Sequence, residues 1–165
     1  MPVWFNNFPL PPSVNEYLMV IHGRLVKTKV HRDYGDLCLL WASQNRGALT
    51  SIKNWLLELK KRNETAKRPF ALEISVYLAF EESRLLTVNN KTEQLDGSNR
   101  LKALMDGLST VLSIDDKHFF AEHCEKVIAK SKETECTIIR IAPMSPRSQQ
   151  EIIQMMNSQR HIRGS

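Results

Sequence analysis

The sequence predicts an α+β domain in which helices pack on a small mixed β-sheet. Segments of alternating apolar residues and segments of helical spacing follow one another without a regular repeat, which is typical of this class. The chain has 165 residues, enough for one domain with a substantial core. Its 42% apolar and 25% charged residues are ordinary for a globular protein. No run of 18 apolar residues occurs, so no membrane span is expected.

The N-terminal third predicts a strand, a hairpin and two helices. Val3–Phe8 reads as a strand that ends at the first of three prolines. Residues 18–21 and 25–30 flank His22-Gly23-Arg24 and predict a hairpin that carries basic side chains, Arg24, Lys27 and Lys29. Helical spacing follows over 31–46 and 49–62, and Gly47 is the expected boundary between the two helices. The basic run at the end of the second helix, Lys60-Lys61-Arg62, is favourable at any helix C-terminus.

The remainder predicts three strands around one further helix. Phe70–Phe80 alternates apolar and polar residues and is expected to be a strand. Residues 81–95 have no clear period and predict a loop. Phe119–Ala129 and Thr134–Ala142 predict two strands joined by a turn, and Pro143 ends the sheet. We therefore expect a folded domain over 1–143 and a helical extension or flexible tail over 144–165.

The helix of the last third carries the most informative polar residues in the chain. Leu101, Leu104, Met105, Leu108, Val111 and Leu112 recur at helical spacing and predict its buried stripe. Asn99, Lys102 and Asp106 share a different face. Ser98 is the expected N-cap, Asp96 precedes the helix and Asp115-Asp116 follow it. Carboxylates at this density suit Mg²⁺ or Mn²⁺ better than zinc.

A purely structural interpretation of this segment is open on these observations. Asp96 and Ser98 can act as capping residues, because they complement the helix N-terminus. Asp106 can pair with Lys102 four residues earlier, and Asp115-Asp116 can form an ordinary turn before a strand. The residues alone do not choose between a metal site and these structural roles.

Three motifs resemble those of the RusA-type Holliday junction resolvases, many of which are encoded by phages and prophages. The helix reads Asp-x-x-Asn-x-x-Lys-x-x-x-Asp from Asp96 to Asp106, followed by the Asp115-Asp116 pair. Leu10-Pro11-Pro12-Ser13-Val14-Asn15 resembles the family's N-terminal Pro-Pro-Ser-x-Asn signature. Gly23-Arg24, followed by Lys27, is similar to its basic hairpin. The similarity extends from about residue 8 to 141.

This resemblance implies a structure-selective endonuclease that resolves four-way DNA junctions during recombination and repair. It implies a homodimer, because a four-way junction has near two-fold symmetry and needs two symmetric cuts. Phosphodiester hydrolysis would use Mg²⁺ or Mn²⁺. The implied catalytic residues are Asp96, Asn99, Lys102 and Asp116, and the implied metal ligands are Asp96, Asp106, Asp115 and Asp116. The residues expected to contact DNA are Arg24, Lys27, Lys29, Arg84, Lys91 and Arg100.

One position departs from the family pattern. The usual motif has a second acidic residue two positions after the first, and here that position is Ser98. A hydroxyl is a weak neutral ligand, so metal affinity is expected to fall, and Asp106 or Asp115 would have to compensate. Besides an active nuclease, two alternatives are therefore open: a catalytically impaired junction- or DNA-binding protein with the same fold, and an unrelated basic nucleic-acid-binding module.

The charge distribution fits a protein that binds nucleic acid. Residues 1–69 hold 11 Lys and Arg against 5 Asp and Glu, whereas residues 70–142 hold 9 against 12. A basic half can hold phosphates while an acidic centre holds a metal ion. A net charge of +5 is common among globular proteins, so it excludes little by itself.

The cysteines and histidines predict no metal site of their own. Cys38, Cys124 and Cys136 have no CxxC spacing, and the odd count favours a reducing cytoplasm. Cys38 and Cys136 lie in apolar patterns and are expected to be buried thiols. His118 and His123, near the acidic pair, are expected to be exposed polar residues.

Overall fold

The chain folds as an α+β domain, as the sequence predicts. The structure, a computed structural model, describes residues 1–13, 18–22, 24–86 and 97–152. The strands are β1 Val3–Phe8, β2 Leu18–Ile21, β3 Arg24–Lys27, β4 Leu72–Glu81, β5 Phe119–Ala129 and β6 Cys136–Pro143. The helices are α1 Lys29–Gln44, α2 Arg46–Thr65, the single turn α3 Glu82–Leu85, and α4 Gly97–Leu112.

Four strands of the described chain form one mixed sheet in the order β1-β6-β4-β5. The central strand β4 pairs antiparallel with β6 and parallel with β5. A parallel pair needs a crossover connection, and α4 lies in the segment that links β4 to β5. The polar helix and the first residues of β5 are therefore brought to the same region of the sheet. Strands β2 and β3 form a separate hairpin.

The two C-terminal strands are consecutive in sequence but not neighbours in the sheet. Both pair with β4, so that Tyr77 lies between Glu125 of β5 and Ile138 of β6. A short 3₁₀ turn at Lys132–Thr134 lies in the connection, after Ser131 and before Glu135. The sequence predicts both strands and the turn, but the turn carries the chain past β4 instead of closing a hairpin.

One face of the central strand β4 is fully buried. Alternate residues of β4 have no exposed surface on this face, namely Leu72, Ile74, Val76, Leu78 and Phe80. Helices α1, α2 and α4 contribute to the same core through Tyr34, Cys38, Trp41, Leu49, Ile52, Leu56, Leu104 and Leu108. The opposite face of β4 is more polar: Glu73 pairs with Arg140 at 2.8 Å, and Tyr77 stacks on Trp4.

The proline-rich segment after β1 is held by hydrogen bonds to its carbonyl groups. The Pro9 carbonyl accepts from the Thr137 hydroxyl at 3.0 Å and from the Tyr34 hydroxyl at 3.4 Å. The Trp41 indole donates to the Asn6 carbonyl at 3.2 Å. Proline has no N–H to continue a strand ladder, so side chains and not a neighbouring strand donate to these carbonyls.

Three predicted boundaries were wrong. Helix α1 begins at Lys29, because Thr28 caps it by accepting from the His31 amide, so the second hairpin strand ends at Lys27 and not Val30. The break between α1 and α2 is at Asn45, and Gly47 lies inside α2. The Asn45 amide donates to the Trp41 carbonyl at 2.8 Å, which satisfies the end of α1 without a glycine.

Two further expectations changed around the polar helix and the tail. Residues 82–85 form the turn α3 instead of loop, and Ser98 lies inside α4, which begins at Gly97. In the tail, residues 149–152 are helical, and Ser148 and Glu151 cap one another reciprocally. Residues 153–165 lie outside the described part, so the domain boundary at 143 stays a prediction. Among the described residues, no helix is both long and apolar enough to cross a membrane.

Candidate active site

Helix α4 is fixed by its apolar side and presents its polar side beside β5. Ala103, Leu104 and Leu108 have no exposed surface, and Val111 and Leu112 are nearly as buried. This stripe sets the rotation of the helix about its axis. As a result, Lys102 is exposed and Asp106, one turn later, is half-buried. Both residues line the same cavity, so they share one side of the helix, as predicted. Their predicted ion pair stays a prediction.

The acidic pair after α4 forms a tight turn with a lysine. Asp115 precedes a 3₁₀ turn at Asp116–His118 and accepts from the Lys117 amide at 3.1 Å. Its carboxylate also lies 2.6 Å from the Lys117 ammonium. These contacts, the side-chain hydrogen bond first, lower the pKa of Asp115 and raise the pKa of Lys117. The negative charge of Asp115 is thus already balanced by its neighbour.

An open cavity of about 560 Å³ lies between α4, this turn and β5. It is lined by Leu101, Lys102, Met105, Asp106, Asp116, Lys117 and Glu122. The structure therefore brings together three of the residues that the sequence singled out, Lys102, Asp106 and Asp116. Asp115 does not line this cavity but a neighbouring one. Three carboxylates and two ammonium groups that line one open cavity can bind a phosphodiester together with a cation.

Glu122 is an acidic residue of the cavity that the sequence analysis missed. On β5 it shares a side with Cys124, because alternate strand residues point the same way. The Cys124 thiol lies 3.9 Å from the Gly97 carbonyl at the start of α4. Glu122 is thus on the side of β5 that faces the polar helix. Its only sequence signal is that an acidic residue lies two positions before Cys124, in the strand that follows the Asp115-Asp116 pair.

Several predicted site residues lie outside what the structure describes. Asp96 and Lys91 fall in the segment 87–96. Asn99 is in the first turn of α4 and Lys27 in β3, but only their backbones are described. Asn15 and Gly23 of the resemblance motifs are likewise outside. Within the described residues, no three His, Cys, Asp or Glu side chains are grouped closely enough to hold a metal ion. The metal site therefore stays a prediction, and it depends on Asp96.

Two arginines expected to contact DNA have intramolecular partners. Arg84 lies 2.5 Å from the largely buried carboxylate of Glu135. Arg100 donates to the Pro11 carbonyl. Both guanidinium groups also lie over the Phe80 ring, at 5.0 and 5.3 Å from its centroid. The Arg100 contact ties α4 to the proline-rich segment, and a DNA phosphate would have to compete with the partners of both arginines.

Two other residues predicted to contact DNA lie at the surface. Arg24 and Lys29 are exposed, Arg24 at the start of β3 and Lys29 at the start of α1. His118 packs edge-on against Phe70 with ring centroids 4.9 Å apart, and it is half-buried, not exposed as expected. His123 is exposed, as expected, and lies 3.6 Å from Glu125. Neither histidine lines the 560 Å³ cavity.

Comparison with known families agrees with the motifs. The family model described as endodeoxyribonuclease RusA matches residues 9–139, which is most of the chain and includes α4, the acidic turn and β5. No individual curated protein shows significant sequence similarity to the chain. The chain therefore belongs to the RusA endodeoxyribonuclease family, and this finding excludes the unrelated nucleic-acid-binding module considered above.

Proposed function

We propose that this member of the RusA family is a metal-dependent nuclease that resolves four-way DNA junctions in recombination and repair. The observation that carries the proposal is that Lys102, Asp106 and Asp116 line one cavity, and that all three lie within the segment that matches the family. The protein would act on DNA as a homodimer, because two symmetric cuts in a nearly two-fold junction require two active sites. The catalytic unit would be residues 1–143.

The donors in and around the cavity fit Mg²⁺ or Mn²⁺. Asp106 and Asp116 supply carboxylate oxygens, which hard divalent cations prefer, and among the described residues no thiol or imidazole lines the cavity. We expect Asp96 and Asp116 to hold the ion, helped by Asp106. Asp115 would contribute only by leaving Lys117, which it contacts at 2.6 Å. When bound, such an ion lowers the pKa of a bound water and stabilises charge on a phosphate. Glu122 adds a further negative charge on the same side.

The chain's own side chains have distinct roles in this proposal. Lys102 faces the cavity and would neutralise the charge that develops on the scissile phosphate or the leaving oxygen. Asn99 would orient an acidic ligand from the first turn of α4. Arg24, Lys27 and Lys29 would hold the DNA backbone without reading its sequence. Lys91 would contact phosphate in the same way, whereas Arg84 and Arg100 would do so only by leaving the partners described above.

The experiment that tests the proposal is incubation of the purified protein with a labelled synthetic four-way junction. We expect paired, symmetric nicks with Mg²⁺ or Mn²⁺ and none with EDTA. A linear duplex of the same sequence is the control and should stay intact. Tight junction binding without nicks would favour the alternative, a catalytically impaired junction-binding protein. Absence of any preference for the junction would contradict the proposal.

Position 98 offers a test of whether the natural site is impaired. Ser98→Asp restores the usual second acidic residue, and a carboxylate at that position should strengthen metal binding. We expect the Mg²⁺ concentration needed for half-maximal cleavage to fall by about tenfold, which corresponds to roughly 1.4 kcal/mol. The measurement is a Mg²⁺ titration of the cleavage rate for both proteins.

The matched control is Ser98→Asn, which has similar size but no charge. An equal gain from Asn would show that the effect comes from packing at the start of α4. No change with Asp would mean that position 98 does not contribute to the metal site, and that other carboxylates fully supply the charge.

A further inference from the structure

Helix α2 carries a basic stripe beside its buried side. Arg46, Lys53 and Lys60 are spaced by seven residues, so they fall close to one line along the helix. The rise of an α-helix places the first and last about 21 Å apart. We call these three residues the α2 basic stripe. In the described part of the chain, none of them forms an ion pair or a side-chain hydrogen bond.

The next residues along the same helix behave differently. Lys61 lies 3.5 Å from Glu58, and the Arg62 guanidinium donates to the Glu58 carbonyl. Residues 61 and 62 therefore have partners on their own helix. The helix has two acidic residues, Glu58 and Glu64, and within the described residues neither forms an ion pair with the stripe. A row of three cations that form no ion pair in this part of the chain has the electrostatic character of a phosphate-binding surface.

The stripe leads into a second cavity, of about 440 Å³, next to the candidate active site. It is lined by Lys53, Leu56, Leu57, Lys60, Phe70, Leu112, Ser113, Ile114, Asp115 and His118. Among the described residues that line it, the one acidic residue is Asp115, which is balanced by Lys117 at 2.6 Å. Two ammonium groups therefore dominate the charge of this cavity.

The two cavities lie on either side of the acidic turn. Asp115 lines the second cavity, and the next residue, Asp116, lines the candidate active site. A DNA strand whose backbone passes from one cavity to the other would cross this turn. Lys53 and Lys60 would then hold phosphates beside the one to be cut.

We propose that the α2 basic stripe and the second cavity bind the DNA backbone next to the scissile phosphate, through Lys53 and Lys60. This inference rests on the proposed function, because it places the same substrate at the Asp115-Asp116 turn. Lys53 and Lys60 position the substrate and take no part in hydrolysis. Phe70 and Leu57 form the apolar wall against which the sugar of the bound nucleotide packs.

The test measures binding of a labelled four-way junction in EDTA, so that binding is separated from cleavage. The double variant Lys53→Ala/Lys60→Ala is compared with Lys61→Ala/Arg62→Ala. The second variant also removes two positive charges from the same helix, but at residues outside the stripe. Loss of two phosphate contacts should weaken binding by about ten- to sixtyfold at 0.1 M salt and reduce the slope of log K against log salt by about two. The control should bind nearly as the parent does.

The outcomes separate this inference from the function on which it rests. If the parent has no preference for the junction, the proposed function fails, and this inference fails with it. If the parent binds the junction and both double variants bind equally well, only this inference is overturned. A third outcome is that inorganic phosphate binds the parent but not Lys53→Ala/Lys60→Ala, while both proteins bind the junction equally well. This result would identify a small-anion site and would also overturn the inference. Melting temperatures of the two variants that equal that of the parent establish that both variants are folded.

Discussion

Asp116→Asn is expected to reduce the rate of junction cleavage by about 10²- to 10³-fold. Asp116 lines the cavity that also contains Lys102 and Asp106, and within the described residues it forms no ion pair like that of Asp115 with Lys117. An amide has nearly the same shape as the carboxylate but no charge to hold a divalent cation. Loss of that interaction should remove several kcal/mol of transition-state stabilisation, which is a change of this size. The measurement is the single-turnover cleavage rate at saturating protein.

Binding should respond differently from cleavage. In EDTA, Asp116→Asn should bind the junction as tightly as the parent or slightly more tightly, because a charge that repels phosphate has been removed. Glu125→Gln is the matched control: it makes the same chemical change on β5, at an exposed residue beside His123. The control should retain full activity. Loss of binding together with cleavage in Asp116→Asn would contradict the assigned role.

The strands and helices were largely predictable because their signals are local. The alternation along Leu72–Glu81 and the apolar stripe of α4 both follow from burial of one face. The spacing of apolar residues in the sequence shows both patterns directly. The order of strands was not predictable. Whether β6 pairs with β5 or crosses β4 depends on which partner buries Ile139 and Ile141, and no residue of the Lys132–Thr134 turn encodes that choice.

The candidate site divides in the same way. Lys102 and Asp106 were predictable because four-residue spacing places both on one side of a helix. Glu122 was not, since its position depends on the register of β5 against β4, which pairs it with Ile74. Asp115 faces a separate cavity because it contacts Lys117, and this contact depends on the conformation of a single turn. The end of α1 is set by a local hydrogen bond from the Asn45 side-chain amide to the Trp41 carbonyl, and not by the more flexible Gly47.

Gly107→Ala is expected to lower the free energy of unfolding by about 1–2 kcal/mol. A Cβ atom at this position would lie 2.8 Å from the Cys38 sulfur and 3.2 Å from the Tyr34 ring. Both side chains are buried in α1, so neither has free space into which to move. Overpacking of a core typically costs 1–3 kcal/mol, and the gain in helix propensity of almost 1 kcal/mol offsets only part of it.

Gly35→Ala is the control for this prediction. Gly35 is also inside a helix, but a Cβ atom there meets nothing within 4 Å. Only the gain in propensity should remain, so stability should rise by about 0.5–1 kcal/mol. Urea denaturation of both variants measures the two free energies. Stabilisation by Gly107→Ala would show that α1 and α4 can separate at no cost.

The position of Gly107 links this packing to the site. Asp106 is adjacent to it in sequence, and Lys102 lies on the previous turns of the same helix. If the Cβ atom pushes α4 away from α1, the helix must shift relative to the acidic turn and β5, and the cavity geometry changes with it. Cys38→Ala removes the closest obstacle, the sulfur atom, so in the Gly107→Ala background it should recover part of the lost stability. A recovery of cleavage in the same double variant would establish that contact with α1 positions the polar side of α4.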